Sequence, residues 1–216
     1  MKQINFYFDV ISPYAYLAFE KLPQALEGLS YSVSYRPVVF GAILQHFGQL
    51  GPAEIAPKRT WTYRQIQWLA RQQGTPLQMP ASHPFNPIAL LRLALACNQT
   101  SEAGICNRFV AETVLRHVWQ GGQDAADAQR LQALIGQLQP KTAIDDPAIK
   151  SQLKANTDAA IAQGIFGVPT LEVDGQHFWG LDALPMLRAY LAGDAWFTSP
   201  DWQQAGQLPV GIKRAA

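Results

Sequence analysis

The sequence predicts an α/β fold in which a β-α-β unit at the start and a β-β-α unit at the end flank an all-helical insertion. Three observations carry this: apolar alternation at both ends, an Asp-Gly turn near the C-terminus, and helical periodicity throughout the middle. Ile4, Phe6 and Phe8 alternate with Asn5 and Tyr7, the period of a short strand. Ser12-Pro13 follows, a helix cap and then a proline at the first helical position, where its fixed φ suits the helix and its missing N–H costs nothing. The helix runs through Tyr16, Phe19 and Leu22 and stops near Gly28. Tyr31, Val33 and Tyr35 alternate again before Pro37. Two strands joined through one helix are parallel, with a right-handed crossover.

At the other end, Gly167-Val168-Pro169-Thr170 leads into Leu171-Glu172-Val173, then Asp174-Gly175, then His177-Phe178-Trp179. Asp-Gly between two short apolar runs is a strong hairpin signal. Asp182 then precedes a helix through Leu184, Leu187 and Leu191 that ends at Gly193. The tail from Asp194 to Ala216 carries Trp196, Phe197 and Trp202 and is expected to pack back on the body, because large aromatics are costly to leave wet. Residues 41–163 contain nothing that reads as a strand. Leu131, Leu134, Ile135 and Leu138 follow the i, i+3, i+4, i+7 stripe of an amphipathic helix. Segments around Trp61 and Trp68, and around Ile88, Leu91 and Leu95, behave alike, and Trp61, Trp68, Trp119 and Phe109 are expected in the core. Asp146-Pro147 starts a last helix, with Gly164 as its stop.

Composition bounds the function. Of 216 residues 48% are hydrophobic and the net charge is +1, a globular balance with no basic field for nucleic acid. No apolar run reaches the ~20 residues of a membrane span, and the N-terminus lacks a secretory pattern, so a cytoplasmic protein with no membrane partner is expected. Cys97 and Cys106 form no Cys-x-x-Cys and have no histidine at ligand spacing, which predicts free thiols in the interior and no metal site.

A serine at a helix N-terminus can donate to a thiolate, while the helix dipole and free N–H groups favour negative charge. The same field lowers a thiol pKa. Taken alone, Ser12-Pro13 is an ordinary helix cap; Val168-Pro169-Thr170 at the far end of the chain is what turns it into a candidate site. The β-α-β and β-β-α halves, the second opened by Val-Pro-Thr, resemble the thioredoxin arrangement. Phe8-Asp9-Val10-Ile11-Ser12-Pro13-Tyr14-Ala15-Tyr16-Leu17, Gly164 to Thr170 and Phe178-Trp179-Gly180-Leu181-Asp182 resemble the 2-hydroxychromene-2-carboxylate isomerases and the related kappa-class glutathione transferases, across residues 3–192. The fold class is thus a thioredoxin-like domain, 1–40 with 164–216, split by a helical insertion domain, 41–163.

The resemblance implies glutathione as cofactor and a cis Val168–Pro169 bond facing the first helix. Ser12 and Ala15 stand where a dithiol member has its cysteines, so the reactive sulfur moves from protein to cofactor. Ser12 then holds the glutathione sulfur as the catalytic residue. Val168 and Pro169 form a main-chain clamp on the tripeptide. Asp182, beside Leu181, meets the γ-glutamyl ammonium, and the adjoining helix start receives the γ-glutamyl carboxylate. Lys58 is a candidate for the glycyl carboxylate. Gln49, where the family more often has asparagine, and His83, Phe85 and Asn86 border the substrate, His83 in the place of a polar aromatic. Lys58, Arg36 and Arg64 are candidates for a substrate carboxylate. Each also has a plainer reading: Asp182 as a helix cap, Lys58 as a solvated lysine, His83 as a loop histidine.

The implied reaction is isomerisation of 2-hydroxychromene-2-carboxylate, or a similar aromatic pyruvate derivative, by reversible thiolate addition. The alternatives are a transferase that conjugates electrophiles and releases the adduct, and a non-catalytic glutathione- or peptide-binding module. The resemblance also implies a homodimer.

Overall fold

The computed structural model describes residues 1–98 and 102–212. Four strands form one sheet in the order β2-β1-β3-β4. Strands β1 (Lys2–Phe8) and β2 (Tyr31–Pro37) are parallel, as a β-α-β unit requires, and helix α1 (Pro13–Ala25) makes the crossover. Strand β3 (Thr170–Val173) runs antiparallel to β1, and the Asp174-Gly175 turn returns the chain as β4 (Gln176–Trp179). Both turn residues have positive φ, 51° and 77°, the geometry that selects Asp-Gly there.

Between the two strand pairs, six α-helices lie among the described residues: α2 (Phe40–His46), α3 (Ala56–Gln73), α4 (Ile88–Ala96), α5 (Arg108–Trp119), α6 (Ala128–Leu138) and α7 (Pro147–Ala162). Asn107, Asp127 and Asp146 cap α5, α6 and α7 with side-chain bonds to free N–H groups. A short 3-10 turn, Leu181–Ala183, precedes α8 (Leu184–Leu191), and α9 (Pro200–Ala205) closes the described chain. No helix among the described residues is long and apolar enough to cross a membrane.

The sheet's two faces divide the labour. Ile4, Phe6 and Phe8 point toward α1 and join a core that also takes in Phe19, Leu91, Val114, Trp119, Leu134 and Leu187. That core is continuous across both halves of the thioredoxin-like unit and the insertion. Tyr7 points the other way, into a smaller cluster with Val38, Ile43, Ala160, Ile165 and Val168.

Three aromatic expectations are overturned. Trp119 is fully buried, but Trp61, Trp68 and Phe109 are 65%, 58% and 59% exposed. On α3 the stripe facing the core is Thr62, Ile66 and Ala70, small enough for close helix approach, and the tryptophans sit off that stripe. On α5 the buried face is Val110, Val114 and Val118, leaving Phe109 outside it. Cys97 and Cys106 are buried free thiols, and burial raises both pKa values, that of Cys97 to about 11. The tail packs back through Phe197 and Trp202, whose rings lie 5.3 Å apart. Beyond α9, Leu208, Val210 and Ile212 are exposed, and residues 213–216 lie outside the described residues.

Candidate active site

The site grows from the loop between β1 and α1. Asp9 carbonyl accepts the Ser12 N–H at 3.1 Å, closing a turn. The Val10 carbonyl takes the Trp119 indole N–H at 2.9 Å, and the Ile11 carbonyl meets His83 Nε2 at 2.8 Å. Asp9 Oδ1 accepts the Ile11 N–H at 3.0 Å, and Oδ2 accepts the Phe40 N–H, at the start of α2, at 2.9 Å. Almost every polar group of this buried loop is thereby paired, as an interior segment demands.

Ser12 is the N-cap of α1, with Pro13 at the first turn. Its Oγ accepts the Ala15 N–H at 3.2 Å and donates to the Val168 carbonyl at 3.3 Å. The two motifs from opposite ends of the chain therefore meet. The Val168–Pro169 bond is cis, as the resemblance implies; the His83–Pro84 bond is also cis, which was not expected. Among the described residues the Val168 N–H has no hydrogen-bond partner, while the Pro169 carbonyl takes the Gly180 N–H at 2.9 Å. The first turn of α1 carries no acidic side chain, and the nearest carboxyl before it is the buried Asp9.

Two cavities open beside this contact. One, of about 690 Å³, is lined by Ser12, Phe40, Gln49, Thr62, Phe85 and Phe166 among others. The second, of about 730 Å³, runs past Pro169, Leu181 and Asp182 toward Lys21 and Arg188. Tyr14, Pro52, Val168 and Trp179 line both, so the two form one groove with the Ser12–Val168 contact beside its waist.

Most of the expected residues reach this groove. Asp182 is exposed in the second cavity, within the 3-10 turn. The residue at the α8 cap position is Ala183, with no side-chain bond, so the plainer reading of Asp182 as that helix's cap is not met. The expected anion seat at the start of α8 is reduced: Pro185 has no N–H, and the Leu184 N–H is used by the Leu181 carbonyl. Lys58 lines the first cavity, exposed and, among the described residues, without an ion pair. Arg36 and Arg64 do not line it; Arg36 lies at a separate polar cleft with Asn5 and Glu172, bonded to Asn5 and Glu102. Strand alternation explains this, since Arg36 follows Tyr35 and so points to the sheet face opposite the Phe6 core.

Gln49, His83, Phe85 and Asn86 all line the first cavity, but two are already engaged. Asn86 Oδ1 accepts the Ile88 N–H at 3.1 Å at the start of α4. His83 bonds Ile11 through Nε2 and Tyr63 Oη through Nδ1, at 2.9 Å, and burial lowers its pKa. A neutral ring with both nitrogens occupied braces the Ser12 loop rather than reaching for a substrate oxygen.

Sequence reasoning missed Asp9, whose signal was a carboxylate directly after the alternating strand. It also missed Phe166 and Trp179, whose rings meet at 4.8 Å beside Gly167 at the groove's waist. Trp179 packs so closely that a Cβ on Gly167 would lie 2.5 Å from its Nε1.

A four-stranded sheet of this order, with a cis-proline facing a serine-capped helix and no cysteine at the helix start, defines a thioredoxin-like protein without a protein dithiol at its site. A family model for the DsbA-like thioredoxin domain matches residues 3–192, and the chain belongs to that family. It is 30% identical to a 2-hydroxychromene-2-carboxylate isomerase of Sphingobium xenophagum, over 88% of this chain and 98% of the relative. It is 25% identical to glutathione S-transferase kappa 1 of Rattus norvegicus, over 89% and 92%. Among solved structures, a 2-hydroxychromene-2-carboxylate isomerase superposes with a TM-score of 0.75 at 24% identity, covering 96% of this chain and all of that one.

Proposed function

We propose that this protein is a glutathione-dependent enzyme that isomerises an aromatic pyruvate derivative of the 2-hydroxychromene-2-carboxylate type. The observation that carries the reading is the contact of Ser12 Oγ, at the N-terminus of α1, with the Val168 main chain, in a groove whose lining contains no cysteine. The residues present suit a γ-linked tripeptide. Among the described residues Val168 offers an unused N–H, Asp182 an acid that does not cap α8, and Lys58, lining the first cavity, a cation in no ion pair. Bound glutathione would supply a thiolate nucleophile for reversible addition to a conjugated double bond.

The chain's own part is binding and charge placement. Ser12 Oγ turns its proton from the Val168 carbonyl toward the sulfur, a charge-assisted bond aided by the helix dipole. The largely apolar walls of the first cavity, among them Phe40, Leu44 and Phe85, exclude water and accept a flat apolar body. Lys58, which lines the first cavity, would meet a carboxylate there, from the glycyl end of glutathione or from the substrate.

Calorimetry with glutathione, followed by spectrophotometric assay of the isomerisation with and without it, tests the proposal. Glutathione-independent turnover, or full activity in Ser12→Ala, would overturn it. The kappa-class relatives favour a second reading, conjugation of electrophiles with release of the adduct; a stable adduct formed faster than isomerisation would select it.

A further inference from the structure

The buried Asp9 carboxyl has no part in the chemistry above, yet it sits against the wall of the first cavity, fully shielded from solvent. Its two oxygens bridge two separate segments: Oδ1 holds Ile11, one residue before Ser12, and Oδ2 holds Phe40 at the entrance to α2. Phe40 and Gly41 line the same cavity as the serine. We infer that Asp9 is a positioning residue, a latch whose ionised carboxylate ties the Ser12 loop to the start of α2 and thereby sets where the Ser12 hydroxyl stands.

The bridging geometry favours the ionised form. Both neighbours are N–H donors, so each oxygen accepts; the carboxylate does so at full strength, whereas protonation leaves one oxygen a weaker acceptor carrying a proton that needs its own partner. Among the described residues no ion pair compensates the ion. The Val39 N–H beside the latch is held by Thr157 of α7, the Val10 carbonyl by Trp119 of α5, and the Ile11 carbonyl by His83. The other titratable groups that share its cavity are Tyr14 of α1, Lys58 of α3, Glu54, which is bonded to the Gly51 N–H, and His83 itself. Burial without a counter-charge pushes the Asp9 pKa up to about 7, against the pull of its two backbone bonds. The latch therefore opens and closes within the neutral range, and Ser12 follows it. Its functional meaning rests on Ser12 being the seat of the glutathione sulfur.

Isotope-labelled protein without glutathione tests the latch itself. The carboxyl carbon of Asp9 and the amides of Ile11 and Phe40 are followed against pH by NMR, together with the Ala15 amide, which bonds Ser12 Oγ. One shared midpoint near 7 is expected for all four, lost from the three amides in Asp9→Asn. An Asp9 carboxyl titrating in the ordinary aspartate range, or an Ala15 amide indifferent to it, would overturn the inference. The wild-type titration decides the matter even where Asp9→Asn fails to fold. Glutathione affinity by calorimetry supplies the second readout: a pH dependence with the same midpoint in wild type, flattened in Asp9→Asn, is expected, and an unchanged pH dependence in the variant counts against the latch. Absence of any glutathione binding would sink the proposed function instead, since the amide titration needs no glutathione.

Discussion

Ser12 carries two duties that a single substitution to alanine would confuse, because it caps α1 as well as facing the groove. Glycine separates them. As an N-cap it costs only a few tenths of a kcal/mol, against about 1 kcal/mol for alanine. Ser12→Gly is therefore expected to melt close to wild type while losing about 10- to 100-fold in kcat/KM, the worth of one hydrogen bond to a charged group. Thermal denaturation beside glutathione-dependent kinetics checks both halves. Asp9 gives the second expectation at this scale. Its folded pKa lies above the unfolded value of about 3.9, so the folded state keeps the proton to higher pH than the unfolded chain does, and Asp9 favours folding most at acid pH. That contribution is lost as pH rises through about 7. The stability difference between wild type and Asp9→Asn, followed by urea denaturation, should shift in favour of the variant between about pH 4 and pH 8; a pH-independent difference would contradict the burial argument. Ser12 was legible in the sequence because capping is local chemistry, written in the adjacent proline. The engagement of His83 was not, since its partners Ile11 and Tyr63 lie far away in the chain.

The elements were mostly legible, and for a physical reason: each strand and helix announces its buried face through period. What period does not report is which of two apolar faces wins. On α3 the competition went to Thr62, Ile66 and Ala70 over two tryptophans, because the approach of α1, bound through Tyr14 Oη to Gln65 at 2.7 Å, leaves room for small side chains. The joint between α7 and β2 was equally hidden. Asn156 of α7 donates to the carbonyls of Pro37 and Gly104, at 2.9 and 2.7 Å, fixing the helix against the end of β2. Gly104 has φ of 77°, and a Cβ there would run into the Asn156 amide. Gly104→Ala should therefore destabilise by about 1–3 kcal/mol through backbone strain and a lost amide bond. A lower urea midpoint at unchanged slope is the expected result.

For the whole molecule, the continuous core argues against independent folding of the two segments that the sequence divides at residues 40 and 164. Trp119 of the insertion stacks on Tyr16 of α1 with ring centroids 6.5 Å apart, inside that core. Thermal unfolding is expected as one transition by far-ultraviolet and tryptophan signals alike, and a chain lacking residues 41–163 should remain unfolded. Two separated transitions would show instead that the insertion is a self-standing domain. The groove was the least legible feature at this scale, because its walls come from Ser12, Gln49, Phe85, Val168 and Asp182, which only the complete fold brings side by side.

Trp119 and His83 reach from the insertion to hold the Val10 and Ile11 carbonyls behind the serine. For anyone redirecting this protein to another compound, that sets the order of operations. Gln49 and Leu50, exposed where they line the first cavity, can be randomised for a new substrate shape. Trp119 and His83 hold the serine loop, and under the proposed function a library that varies them would disturb the seat of the sulfur before it ever sampled specificity.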